Sequence, residues 1–368
     1  MCSPSSIAQS FVRSSPSRIG RNVTVRRQAA LRTLSTTSSS SNLTSTSTQP
    51  EPNPHLQVLL QNPELSENDA TNELRWIVSE VRSHAAKEMA RGRLPPIEDE
   101  RVGQLVRRRA EGEPLQYILG STDFGPLNLL CKKPVLIPRS ETAHIFTLLS
   151  QSILSSISLL SSAARPKEPL SILDLCTGSA CIPLLMTHLN PLCTVVGIDN
   201  SPAAVALGNA NVQKLQMSER VKVRYGNVFS DPEALLLGAQ LREGGRIGMV
   251  VSNPPYIPYD QYQDLPRSVR VYESPSALLG DGLRHYEPGR GLKFYERISQ
   301  VLEDLLVEEE KMVNQGWSDI PRVAVEVGLG QATEVEDILR SSKGGVVGRT
   351  EVWKDQYGSD RMVVGWSR

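Results

Sequence analysis

The fold class of this chain can be read from a stretch that begins with Ser171-Ile172-Leu173-Asp174-Leu175-Cys176-Thr177-Gly178-Ser179-Ala180. The apolar first half is typical of a buried strand, and the small residues after it are typical of a loop that leads into a helix. After a helical stretch comes a second apolar run, Val195-Val196-Gly197-Ile198-Asp199. A strand, a helix and a second strand in this order predict a parallel pair joined by a helical crossover.

Further apolar runs continue the pattern on the C-terminal side of this pair. They cover residues 221–225, 247–252, 323–327, 346–353 and 361–366. Strands that alternate with helices at this spacing predict an α/β fold with a Rossmann-like, mostly parallel sheet of seven strands. Ligands of such sheets bind at the carboxyl ends of the strands, so we expect the functional residues at those ends.

Two smaller regions precede the sheet. Apolar residues recur at three- and four-residue spacing and predict a small helical domain over residues 51–113. Glycines and prolines then separate two short apolar runs, Leu127–Leu130 and Val135–Ile137, and predict a β-hairpin linker over residues 114–138. The catalytic domain is expected over residues 139–368.

Residues 1–50 have the composition of an organellar targeting peptide. They are rich in serine and threonine and contain no lysine and no acidic residue. Their six arginines are Arg13, Arg18, Arg21, Arg26, Arg27 and Arg32. The segment has no continuous apolar core of the kind that a secretory signal needs, so we expect a transit peptide that directs the chain to the mitochondrial matrix. The alternative is a disordered low-complexity leader without a targeting role.

The overall composition limits the classes of function. The chain has 368 residues with 40 acidic and 40 basic side chains, but the basic leader leaves 40 acidic against 34 basic residues downstream of residue 50. A mildly acidic body argues against direct binding of nucleic acid by general electrostatics. No apolar run approaches the roughly 18 residues of a membrane-spanning helix, and we expect no membrane contact. Five cysteines without a C-x-x-C pair and five scattered histidines predict no metal site.

The loop after the first strand and the acid at the end of the second form a candidate nucleoside site. Small residues at 176–180 let the backbone approach a ligand closely. Asp199 ends the second strand, where a carboxylate can accept hydrogen bonds from both hydroxyls of a ribose. The same aspartate can instead cap the next helix. The loop has one glycine where a dinucleotide fingerprint has three, which argues against a dehydrogenase.

The end of the fourth strand carries the motif Asn253-Pro254-Pro255-Tyr256. Each proline fixes its own φ and restricts the residue before it, so we expect an extended Asn253 and a rigidly held Pro254 carbonyl. The Asn253 side chain and this carbonyl are then two acceptors beside an aromatic ring, an arrangement that suits a planar –NH₂ group. Such acceptors stabilise the charge that develops on an amide or amine nitrogen as it attacks a methyl group. A proline-rich turn without a ligand is the alternative.

At these residues the sequence resembles the HemK/PrmC family of S-adenosylmethionine-dependent glutamine methyltransferases, which methylate the glutamine of the Gly-Gly-Gln motif in peptide-chain release factors. The segments that carry the resemblance are residues 113–120, 136–142, 172–175, 253–256 and 273–278. The resemblance implies a class I S-adenosylmethionine-dependent methyltransferase fold with S-adenosylmethionine as cofactor. It also implies a release factor as protein partner, docked by the helical domain, and we expect the enzyme to act as a monomer.

The resemblance also assigns roles to individual residues. The expected cofactor contacts are Cys176, Thr177, Gly178, Ser179, Ala180, Asp199, Asn227, Val228 and Asn253. Of these, residues 176–180 would line the methionine portion, Asp199 would hold the ribose, and residues 227–228 would flank the adenine. The expected catalytic residues are Asn253, Pro254 and Tyr256, and Pro255 would join them in binding the substrate amide.

The sequence departs from the family pattern around the cofactor loop. Cys176 and Ala180 stand where family members have glycine, so we expect crowding of the cofactor or a shifted backbone there. Val228 stands at a position that is often aromatic. Two alternatives therefore stay open, a methyltransferase that acts on an exocyclic amine of a nucleic-acid base and a catalytically silent binding protein of the same fold.

Overall fold

A computed structural model describes residues 53–158, 166, 168–238, 247–282 and 289–367. The chain divides into two compact units at the bond between Ala110 and Glu111. The expected transit peptide, residues 1–50, lies outside the described residues. None of the helices in the described ranges is long and apolar enough to cross a membrane.

The first unit is helical. Its helices are α1 (Pro54–Leu59), α2 (Glu67–Ala90) and α3 (Glu98–Ala110). Helix α2 begins at the N-cap Ser66, whose side chain accepts a hydrogen bond from the backbone N–H of Asp69 and so satisfies a free donor of the first turn. Buried Glu73 of α2 forms an ion pair with buried Arg109 of α3. This pair joins the two helices across their apolar contact.

The second unit starts with a short helix and a β-hairpin. Helix α4 covers Leu115–Leu119, and strands β1 (Ser121–Phe124) and β2 (Leu127–Leu130) pair in antiparallel register. The sequence prediction of a hairpin is correct, but its pairing is wrong because Val135–Ile137 forms no strand. Gly125 adopts a φ of +56° in the two-residue turn, so Leu127–Leu130 folds back onto the residues before it.

Seven strands form the sheet of the second unit. They are β3 (Leu170–Leu175), β4 (Cys193–Asp199), β5 (Val221–Tyr225), β6 (Met249–Ser252), β7 (Val323–Glu326), β8 (Arg349–Lys354) and β9 (Asp360–Trp366). Their order is β5-β4-β3-β6-β7-β9-β8, and β9 runs antiparallel to both of its neighbours while the other pairs are parallel. The α/β fold with a mostly parallel seven-stranded sheet is therefore confirmed.

Helices cover both faces of this sheet. They are α5 (Ser140–Ser158), α6 (Cys181–Leu189), α7 (Pro202–Lys214), α8 (Pro232–Gly238), α9 (Tyr259–Gln263), α10 (Arg267–Arg270), α11 (Lys293–Leu305), α12 (Glu309–Asn314) and α13 (Ala332–Arg340). Two apolar cores result, one with α5 and α6 and one with α11 and α13. The strand that the sequence predicts over 346–353 starts later, at Arg349, because Gly344 and Gly345 adopt positive φ in a 3₁₀ turn before it.

The strand order places a topological switch point beside β3. The chain moves from β3 outward to β4 and β5, then returns to the other side of β3 with β6 and β7. The loops that follow β3 and β6 therefore run to opposite sides of the sheet. A crevice opens between them at the carboxyl ends of the strands.

Candidate active site

A cavity opens at the carboxyl ends of β3, β4, β5 and β6, and its empty space, together with its opening to solvent, is about 750 Å³. The predicted site residues that line it are Cys176, Gly178, Asp199, Asn227, Val228, Asn253 and Pro255. Thr177, Ser179 and Ala180 are buried and do not belong to the lining of this cavity. The structure therefore brings most of the predicted cofactor contacts together, from the carboxyl ends of the four strands β3, β4, β5 and β6.

Asp199 is held at the rim of this cavity by two backbone donors. Its Oδ2 accepts a hydrogen bond from the N–H of Gly178 at 2.9 Å, and its Oδ1 accepts one from the N–H of Ser201 at 2.9 Å. Burial raises the pKa of Asp199, and these two hydrogen bonds oppose the rise. The N-cap of α7 is Ser201 and not Asp199, so the helix-capping alternative is wrong and each Asp199 oxygen keeps a lone pair for a ligand.

The loop between β3 and α6 has an unusual backbone. Cys176, Gly178 and Ala180 all have left-handed φ, at +62°, +55° and +63°. Only glycine adopts this region without strain, and other residues pay roughly 1–2 kcal/mol each. The loop thus has left-handed backbone angles at all three positions, as three glycines would allow, although two of the three residues carry a Cβ.

The Thr177 and Ala180 side chains of this loop pack away from the cavity. A Cβ on Gly197 of β4 would lie 2.3 Å from the Thr177 Oγ1, so Thr177 rests on the bare backbone of β4. A Cβ on Gly208 of α7 would lie 3.3 Å from the Ala180 Cβ, which is fully buried. The methyl group of Ala180 therefore lies toward α7, and Ala180 does not belong to the lining of the cavity.

Asn253 connects the cavity to a second, smaller pocket of about 290 Å³. Pro254 and Tyr256 line this pocket together with Leu136 and Ala277. Asn253 lines both spaces. A ligand in the cavity and a side chain in the pocket would therefore meet at the Asn253 amide.

The motif that begins with Asn253 forms hydrogen bonds with residues of two other parts of the fold. The Asn253 Nδ2 donates to the Oγ1 of Thr142 in the first turn of α5, at 3.3 Å. The Tyr256 carbonyl accepts a hydrogen bond from the Nε2 of Gln331 at 2.9 Å. Both ends of the four-residue motif are thus tied to the body of the unit, which limits their motion.

A buried ion pair closes the wall of the smaller pocket. The Arg139 Nη2 donates to the Glu273 Oε1 at 2.6 Å, and the other oxygen of Glu273 accepts from the N–H of Ile137. Burial raises the pKa of Glu273, while the charge of Arg139 and these hydrogen bonds lower it. The pair joins two of the segments on which the sequence resemblance rests.

Comparisons with known proteins identify the family of this chain. A family model described as the PrmC N-terminal domain matches residues 64–120. A release factor glutamine methyltransferase from Geobacter sulfurreducens is 33% identical over 266 residues, which cover 71% of this chain and 76% of that relative. One from Bacillus subtilis is 33% identical over 273 residues, covering 73% and 81%. The chain belongs to the release factor glutamine methyltransferase family.

A human relative extends the match to eukaryotes. It is named MTRF1L release factor glutamine methyltransferase and is 33% identical over 180 residues, covering 49% of this chain and 50% of that relative. The sequence prediction of a protein-glutamine methyltransferase is confirmed by these family members. The family membership also excludes the alternative that this chain is a dehydrogenase.

The lining of the cavity fits the cofactor expected for a release factor glutamine methyltransferase. S-adenosylmethionine has a hydroxylated ribose between an apolar purine and a charged amino acid. The lining of the cavity offers the Asp199 carboxylate, the apolar side chains of Ile198, Val228 and Phe294, and the residues of the Gly178 loop. The chemistry of this donor set matches the three parts of the cofactor.

The surroundings of Cys176 favour a neutral thiol. Burial raises its pKa well above the usual value, and the carboxylates of Asp199 and Asp174 raise it further. Asp174 itself is fully buried under the loop, and burial with the nearby charge of Asp199 raises its pKa to about 8. Its two carboxylate oxygens have no hydrogen-bond partner within the described ranges.

Sequence reasoning missed several residues of this release factor glutamine methyltransferase site. Phe294 lines the cavity and packs edge to face against Phe229 at 5.0 Å, so it supplies the aromatic ring that Val228 lacks. Thr142 and Gln331 hold the Asn253 motif. No chemistry-bearing motif marks them as site residues, because Phe294 and Thr142 lie on helices, Gln331 is the N-cap residue of α13, and each reaches the site only through the folded chain.

Metal chemistry has no candidate ligand set here. Across the described part of the chain, no group of three histidine, cysteine, aspartate or glutamate side chains is placed to hold a metal ion.

Proposed function

We propose that this enzyme transfers a methyl group from S-adenosylmethionine to the side-chain amide nitrogen of the glutamine in the Gly-Gly-Gln motif of a peptide-chain release factor, giving N5-methylglutamine. The observation that carries this proposal is the position of Asn253, which lines both the cavity and the smaller pocket. Membership in the release factor glutamine methyltransferase family supports the choice of acceptor.

The cavity is the proposed cofactor site. The Asp199 carboxylate would accept hydrogen bonds from the ribose hydroxyls, and Phe294 with Val228 would contact the adenine. The backbone at Cys176 and Gly178 would lie along the methionine portion. When bound, S-adenosylmethionine supplies an electrophilic methyl group.

The smaller pocket is the proposed site for the glutamine side chain. An amide nitrogen is a poor nucleophile because its lone pair is delocalised into the carbonyl group. The Asn253 Oδ1 and the Pro254 carbonyl would accept hydrogen bonds from both amide hydrogens, which stabilises the positive charge that develops on nitrogen during attack. Tyr256 would pack against the glutamine side chain, and the two prolines hold the acceptors in place before substrate arrives. The nitrogen then loses one proton to solvent.

The helical unit is the proposed docking surface for the release factor. The last turn of α2 and the segment that follows it expose Met89, Leu94 and Ile97, of which Leu94 is 97% exposed. Exposed apolar side chains close together are typical of a protein-binding surface. Hydrogen exchange of the full chain tests this role, because added release factor should slow exchange in residues 89–97.

We also propose that residues 1–50 direct the enzyme to the mitochondrial matrix. The support is their composition, with six arginines and no acidic residue. A fluorescent protein fused behind residues 1–50 should enter mitochondria, and replacement of all six arginines by alanine should leave it in the cytosol. A wild-type fusion that stays in the cytosol would contradict the targeting proposal.

One copy of the chain suffices for the proposed chemistry, because a single unit lines both spaces.

Methyl transfer from labelled S-adenosylmethionine tests the reaction. The acceptors are a mitochondrial-type release factor, the same factor with its Gly-Gly-Gln glutamine changed to alanine, and total RNA and DNA. Label on the intact release factor alone supports the proposal. Label on nucleic acid would favour the base-amine alternative, and no label together with no cofactor binding would favour the silent binding protein.

A further inference from the structure

Asn253 is half-buried and stands at the end of a row of three hydrogen-bonded polar side chains, of which the other two, Thr142 and Glu326, are buried. Its Nδ2 donates to the Thr142 Oγ1 at 3.3 Å, and the Thr142 hydroxyl donates to the Glu326 Oε2 at 2.6 Å. Thr142 and Glu326 are 1% and 2% exposed. The three residues come from the β6 loop, from α5 and from the end of β7.

The register of the sheet explains why these residues meet. Ser252 of β6 is paired with Val325 of β7, so the next residues of the two chain segments, Asn253 after the end of β6 and Glu326 at the end of β7, lie side by side. The first turn of α5 crosses above them and places Thr142 between their side chains.

The number of hydrogens that Thr142 and Glu326 can donate determines which atom of the Asn253 side-chain amide faces Thr142. A threonine hydroxyl has one hydrogen, and an ionised carboxylate can only accept. Since the Thr142 hydrogen goes to Glu326, the Thr142 oxygen can only accept from Asn253, which turns the Nδ2 toward Thr142 and leaves the Oδ1 for the substrate side. A protonated Glu326 can instead donate to Thr142, whose hydrogen is then free to attract the Asn253 Oδ1.

We propose that Thr142 and Glu326 are positioning residues, which orient the Asn253 amide so that its oxygen faces the acceptor nitrogen when Glu326 is ionised. This inference rests on the proposed function, and it adds a control of that function by the charge of a residue that does not touch substrate.

The surroundings of Glu326 shift the pKa of its carboxyl group into the physiological pH range. The charged or titratable groups that interact with it are Arg361 of β9, Glu141 of α5, Cys181 of α6, Arg139, Tyr256 and Tyr295. Burial raises the pKa of Glu326 to about 7, while Arg361 and the hydrogen bond from Thr142 oppose the rise. Tyr295 also donates to the backbone carbonyl of Glu326 at 2.9 Å, which holds the residue in place in either charge state.

Substitution of Thr142 tests the orientation step in the full chain. Thr142→Val removes the hydroxyl, and we expect kcat to fall about 10- to 100-fold because the Asn253 amide is no longer held in one orientation. The KM for the release factor and the Kd for S-adenosylmethionine should stay close to wild type. Thr142→Ser keeps the hydroxyl and should restore most of kcat. Thr147→Val is the matched control, since the Thr147 hydroxyl bonds only to the Ala143 carbonyl within α5.

The pH dependence separates positioning from a merely structural role. For the wild type, kcat should fall as the pH is lowered through about 7, because protonation of Glu326 releases the Asn253 orientation. Glu326→Gln cannot ionise, so its kcat should be lower at neutral pH and should lack this acidic limb.

A cofactor-free measurement distinguishes failure of this inference from failure of the proposed function. In protein labelled with ¹⁵N-asparagine, the Asn253 side-chain amide signal, assigned by its loss in Asn253→Ala, should shift with pH around 7 in wild type and stay constant in Glu326→Gln. The inference would be overturned if the chemical shift of the Asn253 side-chain amide did not change with pH, or if Thr142→Val had the wild-type kcat. A titrating signal in an enzyme that methylates no release factor would uphold the inference and overturn the proposed function.

Discussion

The Asp199 Oδ2 accepts a hydrogen bond from the N–H of Gly178 at 2.9 Å, and this contact ties the end of β4 to the loop after β3. The carboxylate thereby supports the loop that shapes the cavity and also faces the cavity itself. One side chain thus links the backbone conformation of the site to its capacity to bind a ribose.

Asp199→Ala should weaken binding of S-adenosylmethionine by about 10- to 100-fold, because hydrogen bonds to a charged group contribute about 1.5–3 kcal/mol. Titration calorimetry measures the change. Asp337→Ala is the control, since Asp337 is an exposed partner of Arg340 on α13 and should leave the Kd unchanged. An unchanged Kd in Asp199→Ala would refute the ribose assignment.

Asn253→Ala should reduce kcat by at least about 100-fold, because it removes one of two acceptors that stabilise the attacking nitrogen. Cofactor affinity should be largely retained, since the Asp199 contacts are untouched. Single-turnover methylation of the release factor gives the rate, with the exposed Asn128→Ala variant as control. Near-normal turnover in Asn253→Ala would remove the catalytic role of this residue.

Cys176→Gly should raise the free energy of unfolding by about 1 kcal/mol, because the left-handed backbone costs a side chain more than it costs glycine. Gln216→Gly should give a similar gain, since Gln216 has a φ of +58° at the exposed end of α7. Ala180→Gly should gain less, because it also removes a buried methyl group. Urea denaturation compares the three variants, and a loss of stability in Cys176→Gly would argue against strain in the loop.

Stability should depend on pH through Asp174. Its pKa is raised from 3.8 to about 8 in the folded chain, so the folded chain keeps a proton that the unfolded chain has lost. The free energy of unfolding should therefore fall as pH rises from about 4 to about 8, by up to about 1.4 kcal/mol per pH unit. In Asp174→Asn this part of the slope should vanish. A wild-type slope that Asp174→Asn leaves intact would show that Asp174 is ionised in the folded chain.

The fold was predictable from the sequence because its signals are local. Short apolar runs that alternate with helical stretches report a parallel sheet, and β3 to β7 lie within a few residues of the predicted runs. The hairpin pairing was not predictable in the same way. Leu127–Leu130 and Val135–Ile137 are equally apolar, and the choice of partner depends on the left-handed turn at Gly125.

The site was predictable only where its residues form a motif along the chain. Asp199 and Asn253 each follow an apolar strand, which marks them as strand-end residues. The sequence also shows that Cys176 and Ala180 replace glycine, but not that both keep the glycine conformation. That outcome depends on Thr177 and Ala180 packing against Gly197 and Gly208, two glycines on other elements.

The sequence alone thus determines the α/β class and the strand-end motifs, because periodicity and turn residues act between neighbours in the chain. The orientation of the Asn253 amide is a property of the folded molecule. Thr142 lies 111 residues before Asn253 and 184 residues before Glu326, and only the register of β6 with β7 and the path of α5 bring the three together. Burial then changes the chemistry of Glu326, since removal of its carboxyl group from water raises the pKa from 4.5 to about 7.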